Sequence, residues 1–170
     1  MEHAVIRTDK MFGTDNRVGI YSILFGAEGE DAFVYADIDN GNVVKLGALK
    51  DGERELYFAT EPAAGDDLKD IVIVAAPELL YDERLHGLEH FYNKAGVPAR
   101  VYTLHHGQLW SVTKEALVGK ETPEKGDIVE LADGTKLNVA ASATSGSTQV
   151  GVIADVEQVG RYTYYVIEVR

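Results

Sequence analysis

The five residues His86-Gly87-Leu88-Glu89-His90 carry the sharpest chemical spacing in the chain. Side chains four apart on an α-helix share a face, so two imidazoles at that interval can grip one zinc ion while a glutamate between them serves as general base. Read alone, His86, Glu89 and His90 outline a zinc-dependent hydrolase. The surrounding periodicity points elsewhere. At about 100° per residue, Leu85, Phe91, Tyr92 and Ala95 all fall within about 60° of Leu88 and form an apolar stripe. His86 and His90 lie at about 160° and 200° from Leu88, so packing the stripe turns both rings to solvent. An exposed pair has no dry pocket in which to polarise a water, and a solvated or partner-facing helix side is the expected reading.

The H-x-x-E-H order is similar to that of the inverted zinc peptidases, and that resemblance implies a further downstream glutamate, for which Glu168 is the candidate. Those peptidases are larger, multi-domain chains, and the residues flanking their motif are not evident here. His105 and His106 follow a strand-like run and point to opposite sides if the strand continues, which suits neither a shared metal nor a dyad. Asp37-Ile38-Asp39-Asn40-Gly41 opens like a calcium loop, but Asn42 stands where that loop needs glycine and Ala48 where it needs glutamate, so a turn is expected. The stretch Ser142 to Thr148 lacks G-x-S-x-G and a placed base and reads as a mobile hairpin loop. With no phosphate-cradling glycine motif, nucleotide use is not supported. No catalytic residue, metal ligand or cofactor is therefore expected outside the zinc alternative.

Charge narrows the partners. The chain has 170 residues and a net charge of −12, and residues 26–90 alone hold 16 acidic and 5 basic side chains. Residues 1–25 balance three against three, and residues 91–170 carry nine acids against eight bases. A surface of this sign repels phosphate, so direct nucleic-acid binding is not expected. The longest apolar run, Ile71 to Pro77, is far short of the ~20 residues that span a bilayer, and no membrane partner is expected. The absence of cysteine rules out disulfides and thiolate metal sites.

The elements that must position these residues read as strands. Asn40-Gly41, Asp51-Gly52 and Asp133-Gly134 are turn signals, and between them lie short runs rich in β-branched and aromatic residues. In the last run, Tyr162, Tyr164 and Val166 share one face and Tyr165, Ile167 and Val169 the other, so both faces need cover. Tyr102, Trp110 and the three tyrosines of that run read as core, with binding hot spots as the alternative. Asp82, Gly96 and Pro98 bracket the amphipathic stripe as a helix over 82–95, and a shorter helical turn is expected at Thr113–Leu117. Gly41-Asn-Val-Val-Lys-Leu46 resembles Gly126-Asp-Ile-Val-Glu-Leu131, and later segments repeat at a similar offset. The expected architecture is mainly β with one central α-helix: an N-terminal arm (1–35), a first β module (36–80), a linking helix (81–97) and a second β module (98–170). The two modules are expected to be small related barrels or sandwiches.

Asn40–Leu56, Ala95–Leu104, Gln108–Leu117, Gly126–Leu131 and Asp133–Leu137 together resemble small proteins of tailed bacteriophages that accompany the major capsid protein as head-decoration or head-stabilising proteins. The resemblance implies a non-enzymatic virion protein that cements the capsid shell. Its implied partners are the major capsid protein and further copies of itself in a homo-oligomer. It would be made in the host bacterial cytoplasm and seated on the capsid exterior. The acidic segment 26–90 would then face outward, with the arm and the near-neutral second module against the shell. A tail-tube or connector subunit is the alternative structural reading.

Overall fold

A computed structural model describes residues 2–11, 19–79 and 87–170. Among the described residues there are twelve strands, and every helical segment is a three-residue 3-10 turn. The first six strands are β1 (Ile20–Glu28), β2 (Phe33–Tyr35), β3 (Val43–Leu49), β4 (Leu56–Thr60), β5 (Ile71–Val74) and β6 (Ala99–Thr103). They hydrogen-bond in the order β2-β1-β4-β3-β5-β6, and β1 pairs again with β6. That last pairing closes five of them into a barrel and leaves β2 outside the ring. β1 serves two neighbours because it is long: Ile20–Ile23 run antiparallel to β6, and Ser22–Phe25 run parallel to β4.

The remaining strands are β7 (Leu109–Val112), β8 (Leu117–Gly119), β9 (Ile128–Glu130), β10 (Leu137–Ala140), β11 (Gln149–Val159) and β12 (Tyr162–Val169), in the order β7-β12-β11-β9-β10-β8. The two edge strands, β7 and β8, are separated by four residues that contain only the 3-10 turn Lys114–Ala116. Four residues reach roughly 17 Å, whereas the edges of a flat six-stranded sheet stand about 24 Å apart. The second sheet must therefore curl until its edges meet.

The two barrels have one topology. β7, the 3-10 turn and β8 together stand where β1 stands: the first part runs antiparallel to the last strand and the second part parallel to the hairpin strand, as β1 does with β6 and β4. β9, β10, β11 and β12 then match β3, β4, β5 and β6 in order and direction. The entry turns match at the level of single hydrogen bonds. Gly41 N–H donates to Val74 and Val74 N–H donates to Asn42, while Gly126 N–H donates to Ile153 and Ile153 N–H donates to Asp127. Gly41 and Gly126 both sit at positive φ, 84° and 94°, a backbone region that penalises a Cβ.

Alternation along β5 links the barrels. Val72 and Val74 point into the first barrel with Ile23, Val44 and Val101, whereas Ile71 and Ile73 point out into a second core with Trp110, Val129, Leu131 and Ile167. All four β5 side chains are buried, each contributing about 1.5–3 kcal/mol. Polar bonds fasten the same interface: Val43 N–H donates to Thr135 at 2.8 Å, Ala64 N–H to Asp133 Oδ1 at 3.0 Å, and Thr148 N–H to Ala64 at 2.7 Å.

One expectation is corrected. The central α-helix is absent among the described residues: residues 82–86 lie outside them, Leu88–His90 form a 3-10 turn, and Phe91 is extended. Beyond the local bonds of that turn, the main chain there bonds to distant partners. His3 N–H donates to Glu89, and Ile38 and Asn93 exchange both backbone bonds across a β-bridge. The segment expected as an N-terminal arm (1–35) packs against both barrels where it is described. Ile6 bridges to Val112 along β7, Ala4, Val5 and Ile6 are buried, and Ile20–Glu28 build the first barrel. Residues 12–18 lie outside the described residues. β6, within the segment assigned from sequence to the second module, closes the first barrel.

Candidate binding surface

The residues singled out for chemistry are held in structural bonds. His86 lies outside the described residues. Glu89 accepts from the Tyr162 hydroxyl and pairs with Arg161, and the tyrosine hydrogen bond, with Arg161 close by, holds its carboxylate below the usual range. A general base needs the opposite shift to take a proton at neutral pH. His90 Nδ1 lies 3.4 Å from Glu2, and Glu168 pairs with Arg170. Among the described residues no three of His, Asp and Glu are grouped as a metal ion requires.

Asp39, in the calcium-like stretch, lies 2.7 Å from His3 Nδ1 and accepts from Ala4 N–H, while Asp37 accepts from Ala95 N–H at 2.7 Å. Both carboxylates tether neighbouring segments. His105 Nε2 contacts Thr103 Oγ1 at 2.7 Å in the turn between β6 and β7. Thr113 is followed by the expected short helical turn, but its hydroxyl accepts from Val5 N–H rather than capping that turn. Trp110, Tyr102, Tyr164 and Tyr165 are core. The stretch read as a mobile loop is tied down: Glu130, fully buried at 0% exposure, accepts from Asn138 Nδ2 at 2.7 Å and from Thr144 N–H at 3.0 Å. Burial is the largest single effect on that carboxyl and pushes it up, but the bonds from Thr144 and Asn138 together outweigh it and hold it below the usual range.

One part of the first barrel is unlike the rest. Past Phe25, β1 runs beyond its pairing with β4 and pairs antiparallel with β2, Gly26 facing Tyr35 and Glu28 facing Phe33. A side chain on Gly26 would strike the Val34 carbonyl at 2.0 Å, so glycine is required for β2 to lie this close. Phe33 anchors the hairpin by packing on Phe58 of β4, ring centres 4.6 Å apart, and Tyr35 meets the edge of the Phe33 ring. Val34 on the other face is 61% exposed and Tyr35 41%.

Main-chain geometry sets which groups face out. Ala36 N–H donates to Phe25 and Gly29 N–H to Ala32, so by the alternation of an antiparallel ladder Val34 also turns its N–H and C=O toward β1. Phe33 and Tyr35 therefore direct theirs to the free edge, where no strand among the described residues meets them. Beside the hairpin lies an open groove of ≈ 720 Å³, walled by Phe33 and Phe58 and floored by Gly26 and Gly47. Its charges are mostly acidic: Glu28 and Glu61 line it, Glu30 and Asp31 are exposed at the hairpin tip, and the one lysine in its wall, Lys45, is paired with Asp66 at 2.6 Å.

Sequence reasoning missed this surface because β2 has three residues, too few for period-two alternation to register. The available signal was Phe33-Val34-Tyr35 standing just after the acidic turn Glu28–Asp31. No protein-family model, curated protein or solved structure matches this chain.

Proposed function

We propose that this chain is a structural virion protein that binds and stabilises the capsid shell of a tailed bacteriophage, acting on the capsid exterior by adhesion rather than by catalysis. The resemblance of segments between Asn40 and Leu137 to phage head-decoration proteins supports this reading. The structural observation that carries it is a hairpin, β1–β2, added to a barrel that closes without it, presenting an unpaired strand edge and exposed apolar side chains. Two barrels packed together through β5, with an open strand edge at β2, suit a protein that holds neighbouring subunits together.

Electron microscopy tests the reading directly. Shells assembled without the protein are incubated with purified chain; added density at regular positions, with greater resistance of the shells to heat, is the expected result. Shells that gain no density, or chain that assembles by itself into tubes or rings, would end the capsid reading.

A further inference from the structure

Among the described residues, the free edge of β2 plays no part in closing either barrel. Every other strand has a counterpart in the other barrel; β2 has none, and the first barrel closes through β1 and β6 without it. An exposed edge with apolar side chains is a liability that proteins ordinarily blunt with lysine, proline or a covering segment. Among the described residues none of these protects Phe33-Val34-Tyr35, and the residues from Gly26 to Ala36 include three acids and no base.

A second copy of this chain is a poor occupant. In the two-fold antiparallel register that uses all of β2, Val34 would face its own mate and Phe33 would face Tyr35, two residues whose outward groups can bond. The same register sets Asp31 opposite Asp37 of the other copy, twice, and like charges directly opposite are destabilising. The local charge instead suits a strand that brings positive side chains.

We propose that the β2 edge is the docking site for an extended segment of a partner protein in which basic and apolar residues alternate, added as a strand beside Phe33–Tyr35. Its backbone pairs with the outward N–H and C=O groups of Phe33 and Tyr35. Its apolar side chains cover Val34, and its basic side chains meet Glu28, Glu30 and Asp31. Naming the shell subunit as that partner rests on the capsid reading; the chemistry of the segment does not. The contact then lies on the acidic barrel, not on the near-neutral second one, because that is where the free edge and its uncompensated charge coincide.

The test uses the full chain and two probes. The first is an end-blocked peptide of about ten residues alternating lysine and valine, with a glutamate–valine peptide of equal length as control. Expected is binding of the lysine peptide alone, weakened by salt, with amide shifts centred on Phe33–Tyr35. Tyr35→Pro removes an outward N–H without touching the β1 ladder and is expected to weaken binding about tenfold or more. The surface variant E28Q/E30Q/D31N is also expected to weaken it, independently of any folding defect in the proline variant. No lysine-peptide binding, equal binding of both peptides, equal binding by Tyr35→Pro, or a solution dimer that Tyr35→Pro dissociates would each overturn the proposal.

The second probe is the preassembled shell. Wild type that binds while Tyr35→Pro does not supports the proposal. Equal binding by both overturns it and leaves the capsid reading standing. Wild type that ignores shells but binds the lysine peptide supports the edge and ends the capsid reading.

Discussion

The two barrels share strand order, strand direction and the bonding of their entry turns, yet they differ at the connection between the first and second structural strands. In the second barrel the chain passes from β8 to β9 through a short tie in which Lys120 pairs with Glu124 at 2.7 Å and with Asp127 at 2.9 Å. At the same place the first barrel inserts β2, whose outer edge bonds to nothing among the described residues. Five strand positions close either ring, with β7 and β8 sharing one in the second, so β2 adds no closure. The comparison separates what the fold requires from what it merely carries, and β2 belongs to the second class.

If the packing through β5 couples the two barrels, they unfold as one unit. Ile73→Ala removes a side chain from the shared core and is expected to cost about 3 kcal/mol. Because β5 places side chains in both cores, the loss should appear in one transition. Urea unfolding followed by fluorescence of Trp110, the sole tryptophan, and by far-UV circular dichroism should give coincident curves. Separate midpoints would show two folding units.

Equivalent positions sharpen it. Glu130 and Lys45 occupy the same place in the repeat, but Glu130 is buried and satisfied whereas Lys45 is half-exposed and pairs with Asp66. Glu130→Ala leaves donors of Asn138 and Thr144 without a partner and is expected to cost about 2 kcal/mol, against less than about 1 kcal/mol for Lys45→Ala. The pH dependence follows from the depressed folded-state pKa of Glu130. Its contribution is present in full above the unfolded value of about 4.3 and is lost as pH falls through the lower folded value. Glu130→Gln should flatten that acid limb of a stability-versus-pH profile.

The paired glycines test the next level down. Gly41→Ala and Gly126→Ala each place a Cβ at positive φ, costing about 1 kcal/mol. At Gly41 the new methyl also meets Val112 Cγ1 at 3.2 Å and the Ala116 Cβ at 3.3 Å, while nothing lies within 4 Å at Gly126. Thermal denaturation should therefore show the larger drop for Gly41→Ala, and equal drops would mean that the barrels do not press on each other there. The smallest effect is expected at Val34→Ser, within about 0.5 kcal/mol of wild type, since that side chain supports no core. A larger loss of stability would make β2 structural.

The strand-rich character of this protein, its turns at Asn40-Gly41 and Asp133-Gly134, the similarity of Gly41–Leu46 to Gly126–Leu131 and the two-faced last strand were all legible in the amino-acid order. Each is set by local sterics or by side chains alternating along one strand. Three features depended on partners far away in the chain. Leu88 to Ala95 carry a helical stripe, but Glu89 and Asn93 give their main-chain groups to His3 and Ile38. Ala4–Ile6 look like a polar-flanked terminus yet fill the core beside β7. The edge of β2 became a candidate site only because the other five strands close the ring and leave it out. Periodicity reports which face of an element is apolar; which backbone it bonds, and which edge stays open, is settled by long-range closure that no local window contains.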